Sequence, residues 1–229
     1  SYRRSYIDEL LIRTHPKYVK KRLDLESLLK QRNAFLKQAK GYLTTEGKNT
    51  LSVWNEQFAD ASQEWGQLRK ETLKNLQHLA QKAYEDLTGK PEDLTITYNP
   101  EWLTKGLLSS LKEIENDELR RATTLIGPHR DDIEIFLDEM PARTHASQGE
   151  QRTIALSLRV AGHLFLYEVH KAKPLLLLDD VFSELDTERT ERLLHLLVAD
   201  QTFITTAIEP KYIDANTYYE IQNGKVVTA

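Results

Sequence analysis

Two carboxylates stand at the end of a run of leucines in Leu175-Leu176-Leu177-Leu178-Asp179-Asp180. The run reads as a strand apolar on both faces, as a buried central parallel strand is, and it carries both carboxylates to its end. In nucleotide hydrolysis this Walker B arrangement has one carboxylate hold Mg2+ while the next orients or deprotonates the attacking water. Asp179 is therefore the candidate for Mg2+ and Asp180 the candidate catalytic group. A core strand running into an acidic loop explains the same six residues, and taken alone they favour that plainer reading.

They are not alone. Ser183-Glu184-Leu185-Asp186 follows at the distance at which ABC-type ATPase heads carry a D-loop, which makes Ser183 and Asp186 candidates for a dimer interface. Asp186 also suits the N-cap of a helix starting at Thr187. Upstream, Ser147-Gln148-Gly149-Glu150-Gln151 resembles an ABC signature at a helix start. A hydroxyl, a glycine that permits close approach and the open N–H groups of a helix N-terminus suit a γ-phosphate. Ser147, Gln148, Gly149 and Glu150 are the candidates, with Arg152 one turn further adding positive charge. Ser147-x-x-Glu150 is equally a capping box, and one geometry serves both purposes. No Gly-x-x-x-x-Gly-Lys-Ser/Thr occurs in the sequence, for Gly47-Lys48 is followed by Asn49. The two segments therefore read as half-sites that need a P-loop, and a dimer of these residues alone is not expected to be competent.

Composition sets the outer bounds. The 229 residues allow one large domain or two modest ones, and 29% are charged against 40% hydrophobic. No run approaches the roughly 18 apolar residues that a membrane span needs, so no membrane partner is expected. With no cysteine, disulfides and thiolate metal sites are excluded, which fits a cytoplasmic protein. Ser1-Tyr2-Arg3-Arg4 has no apolar stretch behind it to make a secretory signal, and with Met140 the only methionine the chain is expected to lie inside a longer protein. The net charge of -4 gives no global attraction to nucleic acid. Lys17, Lys20, Lys21, Arg22, Lys30 and Arg32 nevertheless form a locally basic stretch that could meet DNA phosphates; a solvated helix face accounts for it as well.

These residues must be positioned by two kinds of structure. From about residue 18 to 87 the spacing is helical: Leu25, Leu28, Leu29, Arg32 and Leu36 recur at three and four, as do Trp54, Phe58, Ala61 and Trp65. A break over residues 41–50 predicts a helical hairpin, an arm or a lid, ended by Gly89-Lys90-Pro91. Strands are expected over 94–98 and 132–137, one helix over 102–121 and another over 148–171. After the strand at 175–178 come a helix over 187–198, a strand over 202–206 and a hairpin at Asn223-Gly224, a pair suited to a type I′ turn. The expected division is a helical arm or lid domain over 1–122 and an α/β head portion over 123–229.

Several separate segments then resemble one family. Arg3-Arg4-Ser5-Tyr6-Ile7-Asp8, Leu29-Lys30-Gln31-Arg32-Asn33 and Gly127-Pro128-His129-Arg130-Asp131-Asp132 are similar to motifs of the RecF family of bacterial recombination mediators, related to SMC-type heads. The signature-like and Walker B to D-loop segments complete the set, in order and over the full chain. The resemblance implies the carboxyl-terminal part of an α/β ABC-type ATPase head with a helical arm. It also implies ATP and Mg2+ as cofactors, ATP-dependent homodimers, weak hydrolysis, and binding to gapped DNA or junctions of double and single strands. The implied partners are RecR and RecO, in recombination, repair, replication and the SOS response. Carried over, Asp179 is the Mg2+ carboxylate, Asp180 the catalytic one, and Ser147 with Gly149 contacts the γ-phosphate of the partner's nucleotide. Where such heads often carry a switch histidine, Thr205-Thr206-Ala207-Ile208-Glu209 offers none. Thr206 is the candidate there for a bond near the γ-phosphate, although a threonine closing a strand is more often structural, and weak turnover follows.

Two other functions fit parts of the sequence. A DNA- or protein-binding module working through the helical arm would use the basic stretch and no catalysis. An OLD-type nuclease would need a further carboxylate-rich domain, which nothing in the sequence resembles.

Overall fold

The computed structural model describes residues 1–207 and 215–228, and the chain divides into two compact units, Ser1–Ala172 and Lys173–Ala229. The first unit opens with three helices: α1 (Tyr2–Thr14), α2 (Pro16–Ala39) and α3 (Thr45–Thr88). His15 is extended between α1 and α2, and its Nδ1 accepts from Lys17 N at 3.1 Å. Pro16 takes the first helical position, where its missing N–H costs nothing. Lys40 (φ 49°) and Gly41 (φ 86°) both turn left-handed to end α2, and Thr44 Oγ1 accepts from Gly47 N at 3.1 Å to start α3. The turn is therefore shorter than the expected break, with Gly47 and Asn49 already inside α3.

At 44 residues α3 is the spine of the unit, roughly 66 Å long at the usual helical rise. Its buried stripe runs through Leu51, Phe58, Trp65, Leu73, Leu76, Ala80, Tyr84 and Leu87, steps of three, four, seven and eight that keep one face inward. Trp54 and Ala61, read as part of that face, lie at its border. Gly89 (φ 68°) stops the helix.

Beyond it lie β1 (Leu94–Thr97), α4 (Glu101–Lys105), α5 (Leu107–Glu113), α6 (Glu115–Arg121), β2 (Glu134–Leu137), β3 (Met140–Pro141), α7 (Ala142–His145) and α8 (Gln148–His170). The single helix expected over 102–121 is three short ones. Gly106, at φ 94° and ψ 126°, breaks the first junction in a conformation that other residues rarely adopt, and Ile114 (φ -107°, ψ 10°) breaks the second. β1 and β2 pair antiparallel from Leu94↔Leu137 to Thr97↔Glu134, and β3 adds to β2.

The hairpin of α2 and α3 is part of the unit's core. Phe58, Trp65, Leu73 and Leu76 of α3 share one hydrophobic cluster with Ile7 and Leu10 of α1 and with Ile154, Ala161 and Phe165 of α8. Because α8 packs with the helices that precede it, compactness divides the chain at 172/173, whereas the sequence reading put a boundary at 122/123.

In the second unit β4 (Leu175–Asp179) pairs in parallel with β5 (Gln201–Thr205), in the register Leu175↔Gln201 to Asp179↔Thr205. A 3-10 turn (Val181–Glu184) and α9 (Thr187–Leu196) connect them. β6 (Tyr219–Gln222) and β7 (Lys225–Thr228) form a hairpin about Asn223 (φ 53°) and Gly224 (φ 75°), the two positive φ angles of a type I′ turn. The expectation that β4 is buried on both faces is corrected. Leu178 is buried, but Leu175 and Leu177, two residues apart and so on one face, are 57% and 69% exposed. Within the described residues β4 pairs with β5 alone. No helix of the described residues is long and apolar enough to cross a membrane.

Candidate nucleotide-contacting site

Asp179 ends β4 as an ordinary strand residue, and its register partner is Thr205. Thr205 Oγ1 donates to Asp179 Oδ1 in a short hydrogen bond, which fixes that carboxylate. The next residue leaves the strand abruptly: Asp180 has φ 48° and ψ 27°, a left-handed conformation uncommon for residues with a side chain, although Asp and Asn tolerate it best. Backbone strain of this kind persists where the surroundings over-determine it, and here three bonds do so. Asp180 N donates to Thr205 O at 3.0 Å and to Thr205 Oγ1 at 3.2 Å, while Ser183 Oγ donates to Asp180 O at 2.9 Å. Both carboxylates are thus exposed at the carboxyl end of a parallel strand pair, the place where open α/β sheets bind ligands.

Ser183, expected in a D-loop, has its hydroxyl committed to Asp180. Asp186 caps α9 as its sequence suggests, accepting from Arg189 N at 2.8 Å. Thr205 is the residue that sequence reasoning missed: attention fell on Thr206, one position past the strand, although parallel pairing sets Thr205 opposite Asp179. Ile208 and Glu209, from the same expected switch segment, lie outside the described residues.

In the first unit, the residues of the signature-like segment gather at the start of α8. Ser147 Oγ accepts from Glu150 N at 3.3 Å and Glu150 Oε2 accepts from Ser147 N at 2.7 Å, a complete capping box. Those bonds from Ser147 hold the Glu150 carboxyl below its usual range. Ser147, Gln148, Gly149 and Arg152 are exposed. A Cβ built on Gly149 would meet nothing within 4 Å. Packing within the chain therefore does not require glycine there, though a glycine inside a helix costs about 0.5–1 kcal/mol against alanine.

The basic stretch divides. Lys17, Lys20 and Lys30 are exposed, with the Lys17 ammonium 5.2 Å from the centroid of the Tyr18 ring. Lys21 pairs with Glu64 at 2.5 Å and Arg22 with Glu26 at 3.0 Å. Arg32 is corrected outright as a DNA contact, for it is fully buried. Its Nη2 donates to Glu118 Oε2 at 2.5 Å, Nη1 to Thr124 Oγ1 at 2.7 Å and Nε to Asn55 Oδ1 at 2.9 Å. The signal was present in the sequence, since Arg32 falls in step with Leu25, Leu29 and Leu36 on the inward face. Neighbouring Asn33 accepts from both Thr124 N and Thr124 Oγ1 at 2.7 Å.

Residues 127–132, without a physical role in the sequence, form a knot beneath these helices. Gly127 (φ 122°) brings the backbone against Phe58, whose ring leaves about 3.1 Å for an added Cβ. Buried Arg69 of α3 donates to both carboxylate oxygens of Asp8, to Tyr98 Oη, to Pro128 O and to Asp131 Oδ2, all at 2.9–3.3 Å. Burial works against the Arg69 charge, but Asp8 and Tyr98 outweigh it and raise its pKa. Asp131 also accepts from Tyr98 Oη at 2.6 Å and Trp102 Nε1 at 2.8 Å; burial raises its carboxyl. Arg4 donates to Asp131 O at 2.8 Å and Arg3 pairs with Asp132 at 2.6 Å. His129 lies edge-on to Phe58 and its pKa falls to about 4, chiefly through burial. The segments around residues 3–8 and 127–132, far apart in the chain, are thus two sides of one polar core.

No family model matches the chain. Individual proteins do. It is 37% identical, over 99% of its length, to the DNA replication and repair protein RecF of Lactobacillus delbrueckii subsp. bulgaricus, of which it covers 64%. Against the protein of the same name from Renibacterium salmoninarum the identity is 34%, covering 90% of this chain and 62% of that one. A solved structure of the recombination mediator protein RecF with ATP, in the RecFOR pathway, superposes on the whole chain with a TM-score of 0.87 at 29% identity, and the chain covers 62% of it. The fold is accordingly that of an α/β ATPase-head portion with a helical part. The chain spans just under two thirds of the length of these relatives, and over that span it is RecF proteins that it is similar to.

Proposed function

We propose that the chain supplies two half-sites of an ATP-dependent DNA-binding recombination mediator. The observation that carries this reading is the pair of exposed carboxylates, Asp179 and Asp180, locked in different backbone conformations by Thr205 and Ser183. Asp179 is a hard oxygen donor of the kind Mg2+ takes alongside water and phosphate. It would hold Mg2+, which when bound neutralises charge on the transferring phosphoryl group. Asp180 would accept the proton of the attacking water. The capped start of α8, with its open N–H groups and Gly149, would meet the γ-phosphate of the nucleotide held by a second copy, so that ATP joins two heads and hydrolysis releases them. A P-loop would come from sequence that this chain does not contain. DNA with gaps or strand junctions, and mediators of the RecR and RecO kind, are the proposed partners, in the cytoplasm.

The test is Ser147→Arg in a protein that joins this chain to a P-loop. Sedimentation with ATP should show dimers of the parent and monomers of the variant; dimers of the variant would sink the contact across the interface. Exposed Lys17, Lys20 and Lys30 favour a second reading, a DNA-binding module independent of nucleotide. Salt-sensitive DNA binding that ATP does not change would support it.

A further inference from the structure

The turn between α2 and α3 is built more firmly than a loop needs to be. Beneath it lies a hydrophobic cluster separate from the main core: Leu36, Leu43, Leu51 and Leu119 are buried together, with Phe35 and Ala39 packed against them. Two successive left-handed residues, Lys40 and Gly41, set the chain direction, Tyr42 N donates to Ala39 O at 3.0 Å, and Thr44 caps α3. Leu43 plugs into the cluster while its neighbour Tyr42 points away and is 76% exposed. An aromatic ring held out by a rigid turn, with no part in the packing, is available to something else.

Its surroundings indicate what. Within residues 35–50 Lys37, Lys40 and Lys48 are exposed against one carboxylate, Glu46, and α6, which supplies Leu119 to the cluster, ends on exposed Arg120 and Arg121, with Asp117 paired to Arg120 at 2.5 Å. Between Leu23 and Val53, Tyr42 is the only exposed large hydrophobic residue among those described. A protein partner would find no apolar patch there. A nucleic-acid strand would find a π-face for a base and cations for its phosphates, the combination by which proteins hold single strands.

We propose that Tyr42 is a stacking platform for an unpaired nucleobase, with Lys37, Lys40 and Lys48 meeting the adjoining phosphates. This rests on the DNA-binding reading above and deepens it: the turn would distinguish a gap or junction from continuous duplex, which has no unstacked base to offer.

The experiment measures binding of the full chain to a gapped duplex, carrying 2-aminopurine within the gap, and to the same duplex fully paired. Tyr42→Ala should weaken gapped-DNA binding roughly 5- to 150-fold, the range expected for one stacked base, abolish the 2-aminopurine quenching and leave paired-duplex binding unchanged. Tyr42→Trp should restore both signals. Replacing Lys40 and Lys48 by Gln should flatten the salt dependence by about 0.7 per lost contact. Thermal unfolding of Tyr42→Ala should match the parent. Gapped-DNA binding by Tyr42→Ala within twofold of the parent would overturn the proposal while leaving the DNA reading intact, and so would equal loss on both DNAs. A parent that binds neither DNA would overturn both.

Discussion

Arg32→Ala tests the reassignment of a basic residue from DNA contact to core. The substitution strands Glu118, whose side chain is fully buried and whose Oε1 also accepts from Leu125 N at 2.8 Å. Removing one partner of a buried pair typically costs about 3–5 kcal/mol, because the remaining charge keeps its desolvation penalty without its compensation. Asn55 and Thr124 each lose a bond to the guanidinium as well, which places the expected loss in the upper half of that range. For a domain of this size each kcal/mol shifts the melting temperature by about 2–4 °C, so a fall of about 8–20 °C is expected. A double variant, Arg32→Met with Glu118→Leu, should recover part of the loss, since it removes the stranded charge but leaves Leu125 N, Asn55 and Thr124 without the partners they have now. Urea titration and calorimetry of the single and double variants provide the measurement. A loss below about 1 kcal/mol for Arg32→Ala, or normal melting combined with weakened DNA binding, would refute the structural role.

Gly162→Ala should destabilise by about 1–3 kcal/mol, because the new Cβ would lie 2.2 Å from Tyr6 Oη, which donates to Leu158 O at 2.6 Å; Tyr6→Phe should relieve much of this in a double-variant cycle. His129 is neutral in the fold, its pKa lowered to about 4 from 6.5. Its contribution is therefore complete above pH 6.5 and lost as the pH falls towards 4, where the unfolded chain takes up the proton first. Melting temperatures across that window should fall less steeply in His129→Gln than in the parent. Asp180→Asn, in a protein that joins this chain to a P-loop, should slow ATP hydrolysis while nucleotide binding persists; turnover at the parental rate would remove Asp180 from catalysis.

Local signals in the sequence led to the right local structures where one backbone rule governed them. The capping box at Ser147, the cap at Asp186 and the Asn223-Gly224 turn are decided within four residues, and each is as expected. Periodicity marked α2, α3 and α8, but it did not say that α8 shares a core with α3, because packing partners 100 residues apart leave no local trace. The helix expected over 102–121 failed at Gly106, where apolar spacing suggested continuity and a positive φ interrupted it. Arg32 carries two opposed signals, a charge that suits phosphate and a place in the apolar stripe of α2, and the stripe decides because Glu118, Thr124 and Asn55 satisfy the charge inside. The role of residues 127–132 could not be read at all, for it resides in Arg69, Asp8 and Tyr98, which converge on the segment only in three dimensions.

The capping box at Ser147 also restricts what its hydroxyl can offer. A hydroxyl has one proton and two lone pairs, and the bond from Glu150 N occupies a lone pair. The hydroxyl keeps its proton and one lone pair, but the Glu150 carboxylate also lies within reach of that proton, so an incoming phosphate would compete with the carboxylate for it. Asp at 147 would cap the helix as well as serine does but present negative charge and no proton, whereas Thr would keep both properties. Helix stability alone could not choose between Ser and Asp at this position; an incoming phosphate would.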